Sequence, residues 1–232
     1  MFLDFLFPRE CVGCHKVGTY LCIDCKKSLY AHPEICPFCH KNSPDFQTCF
    51  SCKAKEDSLE GIIIGFSYQN LLKKLILKVK FGHKKDIVAF LAERLALLVQ
   101  THSKLAPLVS QHQLFLSFVP SHWRRKYLEK GYNQSELLAK TLANQLGLHM
   151  LPLARKRKYT VSQLKLSRSQ RATNLKDVFV PQRLEQLPHG ATVLFVDDVT
   201  TTGSTLLQIA RVVKNIRNDL HIWGAVLARN MN

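Results

Sequence analysis

From Leu71 to Phe81, apolar residues fall at 71, 72, 75, 76 and 79, with lysines at 73, 74, 78 and 80 between them. Steps of three and four positions place the apolar set on one face of a helix and the lysines on the other. Asp86 to Gln100 repeats the spacing with a more apolar composition and predicts a second helix. Other apolar runs are short and unbroken: Gly61 to Tyr68, Leu114 to Pro120, Val193 to Val196 and Ile222 to Leu227. Rich in β-branched and aromatic residues, they predict buried strands. Asn133 is placed to cap a helix that runs through Leu146 and closes at Gly147, and a further helix is predicted over Gly203 to Ile216. Strands alternating with helices specify an α/β fold on a parallel sheet. Residues 155–177 are polar and basic without periodicity and read as a long mobile loop.

Before residue 57 the pattern changes. All eight cysteines fall in four Cys-x-x-Cys pairs: Cys11/Cys14, Cys22/Cys25, Cys36/Cys39 and Cys49/Cys52. Each pair aims two thiolates at one point, and two pairs complete the tetrahedral shell of a structural zinc ion. Eight ligands make two closed sites, by pairing neighbours in sequence or by a cross-braced arrangement of first pair with third. The reading is a zinc module over residues 1–56, a charged connector, and an α/β domain over 57–232. Extracellular disulfides are the alternative use of the same cysteines.

Composition adds a strong cationic excess. Lys and Arg number 33 against 17 Asp and Glu, a formal charge of +16. Eight thiolates (−8) and two Zn²⁺ (+4) bring it to +12. Such a surplus draws polyanions, nucleic acid first among them; its plain alternative is a basic protein that is merely soluble. No run approaches the roughly 20 apolar residues that cross a bilayer. The opening Met1 to Phe7 lacks a basic start and contains Asp4, so it makes a poor secretion signal and reads instead as a short packed helix. Zinc-bound thiols then point to the cytoplasm.

The densest chemistry lies in Val193-Leu-Phe-Val-Asp-Asp-Val-Thr-Thr-Thr-Gly-Ser-Thr205. An apolar strand ends in two acids, Asp197 and Asp198, followed by a hydroxyl-rich turn and a helix. In open α/β sheets ligands bind at the carboxyl edge of the strands. Helix N–H groups with Thr and Ser hydroxyls make a phosphate cradle there. An ordinary capped helix after an acidic strand end has the same composition.

This run resembles the phosphoribosyl pyrophosphate (PRPP) motif of type I phosphoribosyltransferases. The resemblance implies that Asp197 and Asp198 take the ribose hydroxyls at the catalytic centre, and that Val199, Thr200, Thr201, Thr202, Gly203, Ser204 and Thr205 form the phosphate loop. Mg²⁺ would arrive with PRPP. Arg124, Arg125 and Lys126, after the 114–120 strand, are the candidate pyrophosphate grip, and the 155–177 loop a lid carrying Arg168, Arg171 and Asn174. With the cysteine pairs and the string Gly131-Tyr-Asn-Gln134, the whole chain resembles the ComF family: a double zinc ribbon joined to a phosphoribosyltransferase-like domain. Further matching positions are Lys80-Phe81, Val119-Pro120, Gln163, Leu166, Arg171, Asn174 and Phe179, while Lys130 stands where that family often has arginine. The family's link to natural transformation implies single-stranded DNA and other DNA-uptake proteins as partners.

The basic face fits such a role. Lys73, Lys74, Lys78, Lys80 and Lys84 lie on or just after one predicted helix, and Arg155, Lys156, Arg157 and Lys158 precede Tyr159. Cations beside aromatics suit single strands without sequence preference. Three functions remain open from sequence: a DNA-handling protein of transformation that binds PRPP, an active salvage phosphoribosyltransferase, or a zinc-stabilised scaffold with a relic phosphate loop.

Overall fold

A computed structural model describes residues 8–54, 58–82, 85–121, 132–157 and 178–230. In the N-terminal module, short helices α1 (Ile23–Lys27) and α2 (Phe50–Lys53) and a 3₁₀ turn at Pro44–Phe46 connect the cysteine knuckles. The α/β part follows as β1 (Gly61–Ser67), α3 (Asn70–Gly82), α4 (Lys85–Thr101), α5 (Ala106–Ser110) and β2 (Leu114–Phe118). It continues through α6 (Gln134–Leu146), β3 (Ala154–Lys156), β4 (Phe179–Pro181), β5 (Thr192–Thr200), α7 (Ser204–Lys214) and β6 (His221–Arg229).

Among the described residues four strands form a parallel sheet in the order β1-β6-β5-β2. The central strands are buried on both faces, as their unbroken apolar runs require: Val193, Leu194, Val196, Ile222, Ala225 and Val226 are fully buried. On α3 the periodicity resolves as predicted. Leu72, Leu75, Ile76 and Val79 are buried, while Lys73, Lys74 and Lys78 are exposed. Asn133 caps α6 with its own side chain, which accepts Ser135 N–H, and Gly147 ends the helix at φ +67°.

Two expectations change. The strand of Val193–Val196 runs on to Thr200, so Asp197 and Asp198 lie within β5 rather than beyond it; pairing with β6 continues through Val199↔Ala228 and Thr200↔Arg229. The loop expected from 155 begins later, because Ala154–Lys156 pairs antiparallel with Phe179–Pro181. Three-residue strands carry no readable periodicity and form only through their distant partner. The expected helix in Met1–Phe7 and most of the 155–177 segment, including Gln163, Leu166, Arg168, Arg171 and Asn174, lie outside the described residues.

The zinc-ligand module is fastened along β1. Isolated bridges join Ala31 to Phe66 and Gln47 to Gly61. Thr48 donates its N–H to Glu60 O at 2.7 Å and its hydroxyl to Leu59 O at 2.8 Å. Asp45 O is bonded to the His102 ring at 2.9 Å, and that ring sits edge-on to Trp223 with centroids 4.6 Å apart. Gly61 fits this junction because it has no side chain: a Cβ there would meet the Phe46 carbonyl and come within 2.5 Å of Trp223 Cζ3. Gly61→Ala is expected to lower stability by about 1–3 kcal/mol through overpacking. Thermal melting checks it, and an unchanged midpoint would disprove the tight fit.

Candidate functional site

The cysteines resolve into two clusters of neighbouring pairs, Cys11/Cys14/Cys22/Cys25 and Cys36/Cys39/Cys49/Cys52, with all ligand atoms within each set less than 4.8 Å apart. The Cys14–Cys22 and Cys39–Cys49 sulfurs are 3.6 and 3.7 Å apart. Disulfide sulfurs sit about 2.05 Å apart, whereas four sulfurs each about 2.3 Å from one zinc are separated by about 3.8 Å. The donor set and spacing therefore fit tetrahedral zinc, and neighbours in sequence share a site. Without a cation four thiols cannot all ionise. The contact with Cys11 and then burial push Cys25 up to about 12, and burial with the Cys49 contact does the same to Cys52. Zn²⁺ held by each set of four cysteines would remove that conflict.

The second site is built at the carboxyl edge of the sheet. β5 delivers Asp197 and Asp198 there, and β2 ends beside it, with Val119 N–H donating to Val196 O at 2.9 Å. Asp197 Oδ1 accepts Ser135 Oγ–H at 2.7 Å and Asp198 N–H at 2.9 Å. Asp198 Oδ1 accepts Val199 N–H at 2.8 Å. Burial, and next the charge of Asp198, push the Asp197 carboxyl up to about 7. Two adjacent acids in a confined site share their ionisation unless a cation joins them.

Beyond the acids the turn divides its hydroxyls. Thr200 is buried, and its Oγ1 accepts Gly203 N–H at 2.9 Å, so it braces the loop from within. Thr201 and Thr202 are exposed, Ser204 and Thr205 half-exposed, and Thr202 Oγ1 accepts Ser204 N–H at 3.4 Å. Gly203 is the N-cap of α7 at φ +77°, and a Cβ on it would approach Ile62 Cδ1 to 2.9 Å. A glycine cap offers the first-turn N–H groups no side-chain acceptor, which leaves them suited to an external anion.

Residues 132–135, overlapping the Gly131-Tyr-Asn-Gln134 string, assemble this corner. The Tyr132 hydroxyl donates to Val79 O of α3. Asn133 Nδ2 donates to Val119 O at 3.0 Å while its Oδ1 caps α6, and Ser135 then reaches Asp197. Ser135 was not singled out by sequence, where a serine in a first helical turn reads only as capping. Arg229 was missed too. It closes β6, is 2 % exposed, and donates through Nε to Thr201 O at 2.9 Å.

Of the other candidates, Arg124, Arg125, Lys126, Lys84 and Lys158 lie outside the described residues, as do His122, Trp123 and Lys130; Lys80 lies on α3. Arg155 and Arg157 are exposed at the β3 end, and Lys156 lies over the Phe179 ring at 5.9 Å. A groove of about 400 Å³ lies between the module and the start of α3, lined by Leu29, Tyr30, Tyr68, Gln69 and Asn70 among others. Lys73 and Lys74 follow on the first turns of that helix.

Comparison with known proteins matches residues 133–231 to the phosphoribosyl transferase domain and residues 2–56 to the double zinc ribbon domain. The chain is 31% identical to "Competence protein F" of Haemophilus influenzae, over 96% of this chain and 98% of that protein. It is 30% identical to "DNA utilization protein YhgH" of Escherichia coli K12, over 88% of each. To "Competence protein ComFC" of Bacillus subtilis it is 24% identical over 84% of this chain and 78% of that one.

Two outcomes follow from these sites. Cys36→Ser is expected to lose one of two zinc ions and to lower the melting temperature, and unchanged zinc content by metal analysis contradicts the second cluster. An Asp197 raised from 3.8 to about 7 binds more protons in the folded than in the unfolded state, so stability falls as pH rises between roughly those values. Asp197→Asn, which keeps the Oδ1 acceptor, is expected to flatten that slope and to gain on the order of 1 kcal/mol at pH 8, a partly solvated carboxyl feeling less than the full shift. Melting curves from pH 4 to 8 test it; a wild-type slope in the variant rejects the assignment.

Proposed function

Since the chain belongs to the ComF family, pairing a double zinc ribbon with a phosphoribosyltransferase domain, we propose that it handles single-stranded DNA in natural transformation and binds PRPP at the carboxyl end of β5. The observation that carries the PRPP reading is the sequence of parts along one edge. Two coupled acids, Asp197 and Asp198, are followed at once by an exposed Thr201-Thr202 turn and a glycine-capped helix. A sugar phosphate requires that order: carboxylates for vicinal hydroxyls, then N–H and O–H donors for the phosphate.

Mg²⁺ fits beside these acids. Asp197 and Asp198 would hold the cation, whose charge would offset the crowding that lifts Asp197, and Mg²⁺ needs few protein ligands. When bound, it would neutralise pyrophosphate as a leaving group. The protein's own contribution is to hold the ribose through Asp197 and Asp198, to grip the 5′-phosphate through Thr201 to Thr205, and to keep Asp197 oriented through Ser135. Arg124, Arg125 and Lys126, outside the described residues, remain the proposed pyrophosphate grip.

The DNA reading rests on charge and on the competence and DNA-utilization names of its relatives. Lys73, Lys74 and Lys78 form an exposed row on α3. The groove before it carries Tyr30, 62% exposed, and Tyr68, which suits stacking of unpaired bases beside a phosphate-tracking row. A cytoplasmic location is consistent with cysteines kept as zinc ligands.

Asp197→Ala with Asp198→Ala is expected to abolish PRPP binding in titration calorimetry with Mg²⁺ while circular dichroism stays unchanged; wild-type affinity in that variant overturns the ribose assignment. Pyrophosphate release from PRPP with a panel of bases separates turnover from binding alone. Replacing Lys73, Lys74 and Lys78 by Glu is expected to weaken single-stranded DNA retention and to reduce the magnitude of its log–log salt slope by about 2, the value for three lost phosphate contacts. An unchanged slope removes α3 from the interface.

A further inference from the structure

Arg229 is a buried cation, and among the described residues no carboxylate pairs with it. Among the described residues its hydrogen bonds go to three neutral acceptors: Thr201 O at 2.9 Å from Nε, and Pro37 O at 3.0 Å and His40 Nε2 at 2.6 Å from Nη2. Nη1 is buried without a partner. A guanidinium stripped of water this way is costly unless an opposite charge lies close. Pro37 lies within the knuckle Cys36-Pro37-Phe38-Cys39 and His40 directly follows it, so the charge at hand is that of the second cysteine cluster. Four thiolates and one Zn²⁺ carry a net charge of −2. Burial lowers the pKa of the Arg229 guanidinium, and Cys36 acts on it in the opposite direction.

The other end of the same side chain fixes the anion loop. Thr201 and Thr202 lie at its exposed apex. In a trans peptide the carbonyl and the following N–H point in opposite directions. A Thr201 carbonyl tied to Arg229 therefore turns the Thr202 N–H away from Arg229 and toward the outside of the loop. Asn230 N–H donates to Thr200 O at 2.8 Å, so the end of β6 holds two successive loop carbonyls.

We infer that Arg229 is a positioning residue that couples the second zinc site to the phosphate loop, its charge balanced by the zinc–thiolate cluster and its Nε–H fixing the Thr201–Thr202 peptide for anion binding. Zinc occupancy at Cys36/Cys39/Cys49/Cys52 then sets phosphate affinity, and a bound phosphate in turn holds that zinc, since coupling is reciprocal. The first cluster makes no such contact with Arg229 and serves as an internal control. The phosphate half of this inference rests on the PRPP reading above; the zinc half does not.

The test uses the full-length, zinc-loaded protein and two readouts. Zinc release to a colorimetric chelator is followed by site, the second-site phase being identified by its loss in Cys52→Ser; PRPP and inorganic phosphate affinities are measured by calorimetry. Arg229→Met is expected to speed release from the second site about tenfold, leave the first unchanged, and weaken phosphate ligands about tenfold. Arg229→Lys keeps the charge but not the two-ended fork, so it should recover zinc retention without recovering phosphate affinity. His40→Asn, at an exposed left-handed position that asparagine tolerates, gives a smaller shift in the same direction should the methionine variant fail to fold. Stripping the second zinc should weaken phosphate binding in wild type and add nothing in Arg229→Met, a non-additivity that general destabilisation does not produce. Wild-type zinc release in both Arg229→Met and His40→Asn overturns the inference. A wild-type protein that binds neither PRPP nor phosphate sinks the PRPP reading instead, and the zinc-release arm still decides whether Arg229 serves the metal site.

Discussion

The pairing of β5 between β2 and β6 is the constraint on which everything else hangs. A strand held on both sides has no freedom to shift its register, and a slip of one residue would turn every side chain to the opposite face. The hold extends to its last residues. Val119 N–H on one side bonds Val196 O, and Asn230 N–H on the other bonds Thr200 O. Asp197, Asp198 and the turn after them thus leave the sheet in a fixed direction. The neighbouring helices build on that geometry: Asn133 anchors the start of α6 to Val119, and Ser135 reaches Asp197 from the same turn.

Electrostatics run in two opposed directions through the molecule. The chain carries a large cationic excess, while crowding makes Asp197 and the Cys25 and Cys52 thiols resist ionising. Zinc at the cysteine clusters would relieve the crowding of the thiols. At Asp197 burial and the charge of Asp198 push the carboxyl up to about 7. The hydroxyls of the turn follow a related division of labour. Thr200 spends its oxygen inside the loop and leaves Thr201 and Thr202 facing water.

Much of this was readable from the chain because it is local. The four-residue spacing on α3, the asparagine cap and glycine stop of α6 and the unbroken apolar runs of β5 and β6 each state their own structure within a dozen residues. Cys-x-x-Cys pairs state theirs within four, although spacing left open which pairs meet, and the fold settles that in favour of neighbours. What stayed hidden depends on partners far away in sequence. Ala154–Lys156 becomes a strand only against Phe179–Pro181. Ser135 looks like any first-turn serine until Asp197 is brought to it across 62 positions. Arg229 lies past the strand predicted to end at Leu227, and its burial between two distant loops is set by contacts 28 and 192 positions away.

The bridges from Ala31 to Phe66 and from Gln47 to Gly61 give the zinc module a task beyond its own folding. β1 is the outer strand of the sheet on that side, and Ile62, Ile63 and Ile64 make it strongly apolar. An outer strand of that composition invites pairing with a second molecule and, from there, aggregation. The module seals part of that margin with antiparallel contacts at each end. Trimming the chain to its α/β part would therefore unmask a sticky border and worsen colloidal behaviour.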